Sequence, residues 1–297
     1  MNTTIDTTGA PSRLRRTLAH PLSWMLVGIV AIVAVDAVCT ALGSALGTVG
    51  TILGALLGGV LSILIYRLVM TRLAGRSTPE LTLVPRRAAR GALLGAGIGA
   101  AFIGTSVGLI VVLGGYTITW QPIDPARTVA VVVAVNIGAA VVEELVFRGV
   151  AFQAIERLAG GGVAGQTLAL VLTAAFFGGA HMLNPGATLW SGIAIALEAG
   201  VLTGAAFLWS RDLWLVIGLH ATWNILEGLL GIAVSGHRDA GLSITVAHGP
   251  GILTGGEFGL EASVIPVVLS LVLSAAMLRA ARKRRKALQQ GIESFTA

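Results

Sequence analysis

Eight stretches of this chain are apolar over close to 20 residues, the length a helix needs to cross about 30 Å of hydrocarbon. Bounded by charges or by Gly and Pro, they run at about 22–42, 46–67, 91–114, 130–155, 165–183, 187–208, 212–234 and 262–281. A soluble domain is excluded by the same pattern. Only 11% of the 297 residues are charged and the mean hydropathy is +0.87, whereas a globular chain is about a quarter charged. The expected fold class is therefore all-α, a polytopic membrane helix bundle with about eight transmembrane helices.

The formal charge of +6 would suit a nucleic-acid binder if the basic residues shared one exposed face. Instead they lie between spans, so no nucleic acid is expected as a partner; membrane lipids are. Of the 20 Lys and Arg residues, 17 fall on one side of an eight-span chain: Arg13 to Arg16, Arg67 to Arg90, Arg157, Arg211, and Arg279 to Lys286. The opposite side holds Arg127 and Arg238, and Arg148 lies within a span. Because basic loops stay cytoplasmic, both termini are predicted on that side of an inner (plasma) membrane. The first apolar run is too long for a signal-peptide core and reads as an uncleaved anchor. Residues 1–20 then form a cytoplasmic tail, 21–281 one membrane domain, and 282–297 a basic cytoplasmic tail. The arginine-studded stretch from Leu68 to Arg90 reads either as an interfacial segment or as a basic loop, and 235–261 as a long external loop. The lone Cys39 leaves no disulfide framework.

An ionised side chain at the bilayer centre costs about 2.5–3.5 kcal/mol even on lenient scales, so each one inside a span is a functional candidate. These are Asp36, Glu143, Glu144, Arg148, His181, Glu198, His220 and Glu227, with Asn136 and Asn224 as uncharged company. In the fourth span Glu144 and Arg148 are i and i+4 neighbours and can neutralise each other within one turn. Glu143 is rotated about 100° away and is left in a poorly solvated place, where a carboxyl can serve as general base and then acid. Two carboxylates and one arginine do not balance, which weighs against a purely structural ion cluster. Phe177 and His181 share a face of the fifth span. His220, Asn224 and Glu227 form a polar stripe at i, i+4 and i+7 in the seventh, and interhelical hydrogen bonding alone could also account for such a stripe. Counted along their helices at 1.5 Å per residue, the clusters lie at similar depths, provided the fourth helix continues past Gly149.

Glu-Glu-x-x-x-Arg at 143–148, Phe-x-x-x-His at 177–181 and His-x-x-x-Asn at 220–224, each on its own apolar helix, resemble a known family. It is the CAAX protease and bacteriocin-processing family of intramembrane endopeptidases, of the CAAX prenyl protease 2 kind. The resemblance covers about residues 125–230. It implies that Glu143 activates a water with help from His181, that His220 and Asn224 stabilise the oxyanion, and that Glu144, Arg148 and Phe177 hold the site in shape. Its implied partner is a peptide or lipidated protein substrate. The family is described both as metalloprotease and as metal-independent glutamate protease. A zinc site built from His181, His220 and a carboxylate, Glu143 or Glu227, would have three ligands and one open position, but the chain has no His-Glu-x-x-His. Two other readings stay open: a non-catalytic, bacteriocin-immunity-like protein of the same fold, and a small proton or cation transporter using the buried Glu and His residues.

Overall fold

The computed structural model describes residues 13–296; the predicted tail residues 1–12 and the final residue, 297, lie outside the described residues. After a short helix at Arg13–Leu18, eight helices follow in the expected order. They are α1 (Pro21–Ala45), α2 (Gly47–Leu73), α3 (Pro85–Val112), α4 (Pro125–Leu158), α5 (Gly162–His181), α6 (Leu189–Ser210), α7 (Leu213–Leu229) and α8 (Val264–Thr296). Seven contain a segment long and apolar enough to span a membrane, and α7 is a shorter apolar helix of 17 residues. Helices suit this solvent because they satisfy their backbone groups internally, which lipid cannot do for them. The chain is thus a multi-pass membrane protein.

Local chemistry sets the helix starts. Pro21, Pro85 and Pro125 occupy first-turn positions, where a missing N–H costs nothing. The Asp124 side chain caps α4 by accepting from Arg127 N, and that of Asp212 caps α7 by accepting from Trp214 N at 2.9 Å. Pro85 also explains why the third span starts earlier than the apolar run suggests. Its first two turns carry Arg86, Arg87 and Arg90, which hydropathy alone assigns to the preceding loop.

Consecutive helices alternate in direction, so one end of the bundle gathers the basic loops. There the 68–90 stretch, read as an interfacial segment or a basic loop, contains a π-helical turn at Val69–Leu73 and a short helical turn at Pro79–Leu81. The Tyr66 hydroxyl donates to the buried carboxylate of Glu80, Arg76 pairs with the same carboxylate at 2.8 Å, and Gln153 donates to Tyr66 at 3.1 Å and to the Gly149 carbonyl at 2.8 Å. Burial pushes the Glu80 carboxyl upward, but hydrogen bonds from Arg76 and Tyr66 outweigh it and hold the group below the usual glutamate range. At the same end α8 runs on to Thr296, so the basic segment from 282, described to 296, prolongs the last helix.

The opposite end departs from the expected loop. Tyr116–Trp120 (β1) pairs antiparallel with Ser243–Ala247 (β2), from Tyr116 opposite Ala247 to Trp120 opposite Ser243. Residues 251–254 and 260–262 add two short helical turns.

Small residues bring α7 against α3. A Cβ at Gly95 or Gly99 would overlap the carbonyls of Leu215 or Leu219, and one at Gly218 would overlap the carbonyl of Ala92. The Gly91-x-x-x-Gly95-x-x-x-Gly99 ridge thus lets two backbones approach to a distance no side chain permits, the packing mode that lipid favours in the absence of a hydrophobic drive between helices. Because α7 also packs on α4, this contact fixes the height and rotation of the helix that carries His220.

Candidate active site

Glu144 ends the regular part of α4 and is fully buried. Beyond it the helix widens into a π-helical turn over Leu145–Ala151 and then resumes as far as Leu158. The helix therefore does continue past Gly149, the condition on which the depth argument rested.

The expected pair forms: Arg148 Nη1 lies 3.1 Å from Glu144 Oε1, with both side chains fully buried. The other arm of the guanidinium reaches α6, where Nη2 donates to the carbonyls of Ala199 at 3.2 Å and Gly200 at 3.0 Å. Those acceptors lie at the end of a second π-helical turn, Ala196–Gly200, a geometry in which wider i→i+5 bonding disturbs the regular ladder and is often found at functional sites. Arg148 also sits over the Phe177 ring, 5.0 Å from its centroid, and 5.8 Å from that of Phe147.

His220 is where the structure adds most. Its Nδ1 lies 2.7 Å from Glu144 Oε1. An ionised carboxylate only accepts, so Nδ1–H is the donor, and the opposite nitrogen faces outward. That nitrogen, Nε2, lies 3.8 Å from Glu143 Oε2. The two adjacent glutamates thus flank one imidazole. Glu144 is not reserved for Arg148, as the helical spacing alone suggests; it joins Arg148 to His220. Glu143 keeps a partly exposed side chain at 29%, while its Oε2 is buried and makes no hydrogen bond.

Phe177 is the hub of the remaining contacts. Its ring stacks on His181 at 4.5 Å and 26°, meets Phe147 edge-on at 4.8 Å, and lies 6.1 Å from the His220 ring. His181, the last residue of α5, donates from Nδ1 to the Phe177 carbonyl at 2.7 Å, which leaves Nε2 uncommitted. It makes no hydrogen bond or ion pair with Glu143 or His220; it joins the cluster through Phe177. Asn224 lies one turn beyond His220, buried, and its carboxamide makes no hydrogen bond with any described residue.

In the zinc site considered from sequence the ligands would be His181, His220 and Glu143 or Glu227. Among the described residues no three His, Cys, Asp or Glu side chains are grouped to hold a metal. Nδ1 of His181 is tied to the Phe177 carbonyl and Nδ1 of His220 to Glu144, which leaves Nε2 of each ring without a hydrogen bond. Asn136 turns back to its own helix, donating to the Val132 carbonyl at 2.8 Å. Asp36, half-buried on α1, is within electrostatic reach of Glu143. Glu198 and Glu227 are fully buried, and their carboxylate oxygens have no hydrogen-bond partner among the described residues.

Sequence reasoning missed Glu261, which is buried beside this region. It accepts from the Ser235 backbone N–H at 2.5 Å and hydroxyl at 2.8 Å. Burial pushes its carboxyl up to about 7, against the lowering effect of the Ser235 hydrogen bonds. It lies outside the apolar run that begins at 262, so a search for charges within spans passes over it.

A buried Glu-Arg pair, an imidazole between two glutamates and a second histidine on a neighbouring helix define a helical membrane protein with a polar intramembrane site. Residues 125–226 match a family model described as Rce1-like, "Type II CAAX prenyl endopeptidase Rce1-like". That segment, which contains all three motifs, is similar to the Rce1-like family. No match was found among curated proteins or among solved structures.

Proposed function

We propose that this protein is an intramembrane endopeptidase that hydrolyses peptide bonds of membrane-associated or lipidated substrates with a water activated by Glu143. The observation that carries the reading is the line Glu144–His220–Glu143, with separations of 2.7 and 3.8 Å. A buried carboxylate that fixes one imidazole nitrogen orients the other toward the reacting groups. Glu143, whose buried oxygen makes no hydrogen bond, is free to take a proton from water; the hydroxide then adds to the scissile carbonyl. Negative charge developing on the carbonyl oxygen requires donors that are already in place. A doubly protonated His220 offers Nε2–H, and the unused carboxamide of Asn224 offers a second donor one turn away. In that form His220 and Arg148 together balance Glu143 and Glu144, which resolves the charge mismatch noted in the sequence. As the tetrahedral intermediate collapses, Glu143 returns its proton to the departing amine, so the step balances. His181, with Nε2 uncommitted, would hold the attacking water from the α5 side.

The test is cleavage of a panel of lipidated, internally quenched peptides by purified full-length protein in liposomes. Glu143→Gln should lower turnover by about 10²–10⁴-fold, the usual contribution of a positioned base. Asn224→Ala should lower it by about 10²–10³-fold, the usual contribution of one oxyanion donor. Both proteins should remain inserted and folded. Undiminished turnover in Glu143→Gln would refute the assignment.

A further inference from the structure

At the basic end of the bundle, away from the glutamates and histidines, lies a cavity of about 430 Å³ between α5, the end of α6 and the last turns of α8. Its walls have two chemistries. Leu170, Leu208 and Leu278 supply an apolar floor, while Arg211, Arg282, Arg284 and Arg285 supply cations at the rim beside Trp209.

Arg211 is already neutralised by Glu156, with two contacts of 2.7 and 2.8 Å. No carboxylate among the described residues pairs with Arg282, Arg284 or Arg285. On α8 the lining positions Leu278, Ala281, Arg282 and Arg285 follow helical spacing, and Arg284, one position before Arg285, also lines the cavity; Arg279, Lys283 and Lys286 do not. Three of the six Lys and Arg residues from 279 to 286 thus line the cavity. The part-buried indole of Trp209 belongs where such rings gather, at the level of lipid headgroups.

We infer that this cavity binds one anionic phospholipid, its phosphate held by Arg282, Arg284 and Arg285 and an acyl chain laid along Leu170, Leu208 and Leu278. Guanidinium groups present a planar fork that matches phosphate oxygens, and basic pockets between transmembrane helices recognise such headgroups. A soluble anion would have no use for the leucine floor, and a neutral lipid none for three unpaired arginines.

Lipid retention on the purified full-length protein, measured by native mass spectrometry and by titration with phosphatidylglycerol, phosphatidylcholine or inorganic phosphate, tests the site. Phosphatidylglycerol should bind with one-to-one saturation and well ahead of both others. The triple variant Arg282→Gln, Arg284→Gln, Arg285→Gln should weaken it roughly 100-fold at low salt. Removing three charges from the non-lining face, with Arg279→Gln, Lys283→Gln and Lys286→Gln, should weaken it less than about tenfold. Equal losses in the two triple variants would mean diffuse surface attraction and would overturn the site. So would equal affinity for phosphatidylcholine, or displacement of phosphatidylglycerol by inorganic phosphate at matching concentration.

Discussion

Replacing Arg148 with Met probes the most heavily committed side chain of the site. The guanidinium is fully buried and binds Glu144 at 3.1 Å and two α6 carbonyls at 3.2 and 3.0 Å. Methionine fills much of the volume and restores none of these bonds. Breaking a buried ion pair from one side costs about 3–5 kcal/mol, chiefly because the remaining charge stays buried. Here the stranded charge is Glu144, left with His220 alone. The same logic predicts rescue: Glu144→Gln removes that charge while keeping an acceptor for His220 Nδ1–H. The double variant should then be more stable than Arg148→Met by about 1–3 kcal/mol, a coupling of the size seen for contacting groups. Reversible unfolding of the wild type, both single variants and the double variant in mixed micelles measures the cycle. A single-variant loss below about 1 kcal/mol, or purely additive effects, would show that the pair is not the strut described above.

Three further outcomes follow from the geometry. Gly95→Leu should prevent α3 and α7 from seating, at a cost of about 3 kcal/mol or more, since an added Cβ meets the Leu215 backbone; Gly97→Leu, whose Cβ meets nothing within 4 Å, should be close to neutral, and thermal melts would compare them. Glu261 has a folded-state value of about 7 against 4.5 for the free side chain. The folded protein thus holds that proton more tightly, and the contribution of Glu261 to stability should be fully present below pH 4.5 and be lost as pH rises through 7. Glu261→Gln should accordingly gain stability over wild type between pH 5 and 8, by up to about 3 kcal/mol, and a gain independent of pH would contradict the burial argument. Glu80 works in the opposite sense: its carboxyl is held low, so Glu80→Gln should cost stability at pH 7 and progressively less as the wild type is acidified below its usual range, which melts across pH would reveal.

The spans were legible because lipid imposes a length and a composition that few other settings require, and the Glu144–Arg148 pair because it is a property of one helix. What α7 brings to α4 was not. His220 and Glu144 are 76 positions apart, and nothing in either motif says which of two adjacent glutamates an imidazole on another helix will meet. The role of Phe177 was visible only as a shared face with His181; its contact with Arg148 depends on how α4 and α5 pack. Residues 116–120 and 243–247 do carry a local signal, Tyr-Thr-Ile-Thr-Trp and Ser-Ile-Thr-Val-Ala, rich in the β-branched and aromatic types that fit a pleated surface. It was hidden by a hydropathy reading tuned to spans. The π-helical turns are set by tertiary contacts and have no sequence signature of their own.

Those wide turns make the register of α4 and α6 a discrete quantity. Deleting one residue from 196–200 would let the wide turn relax to a regular ladder and remove the widening at which the Ala199 and Gly200 carbonyls meet the guanidinium. Length change in either segment is therefore all-or-none, whereas side-chain substitution can be graded. A transplant of Glu143, Glu144 and Arg148 onto a straight helix would reproduce the letters of the motif without the seat that Arg148 occupies.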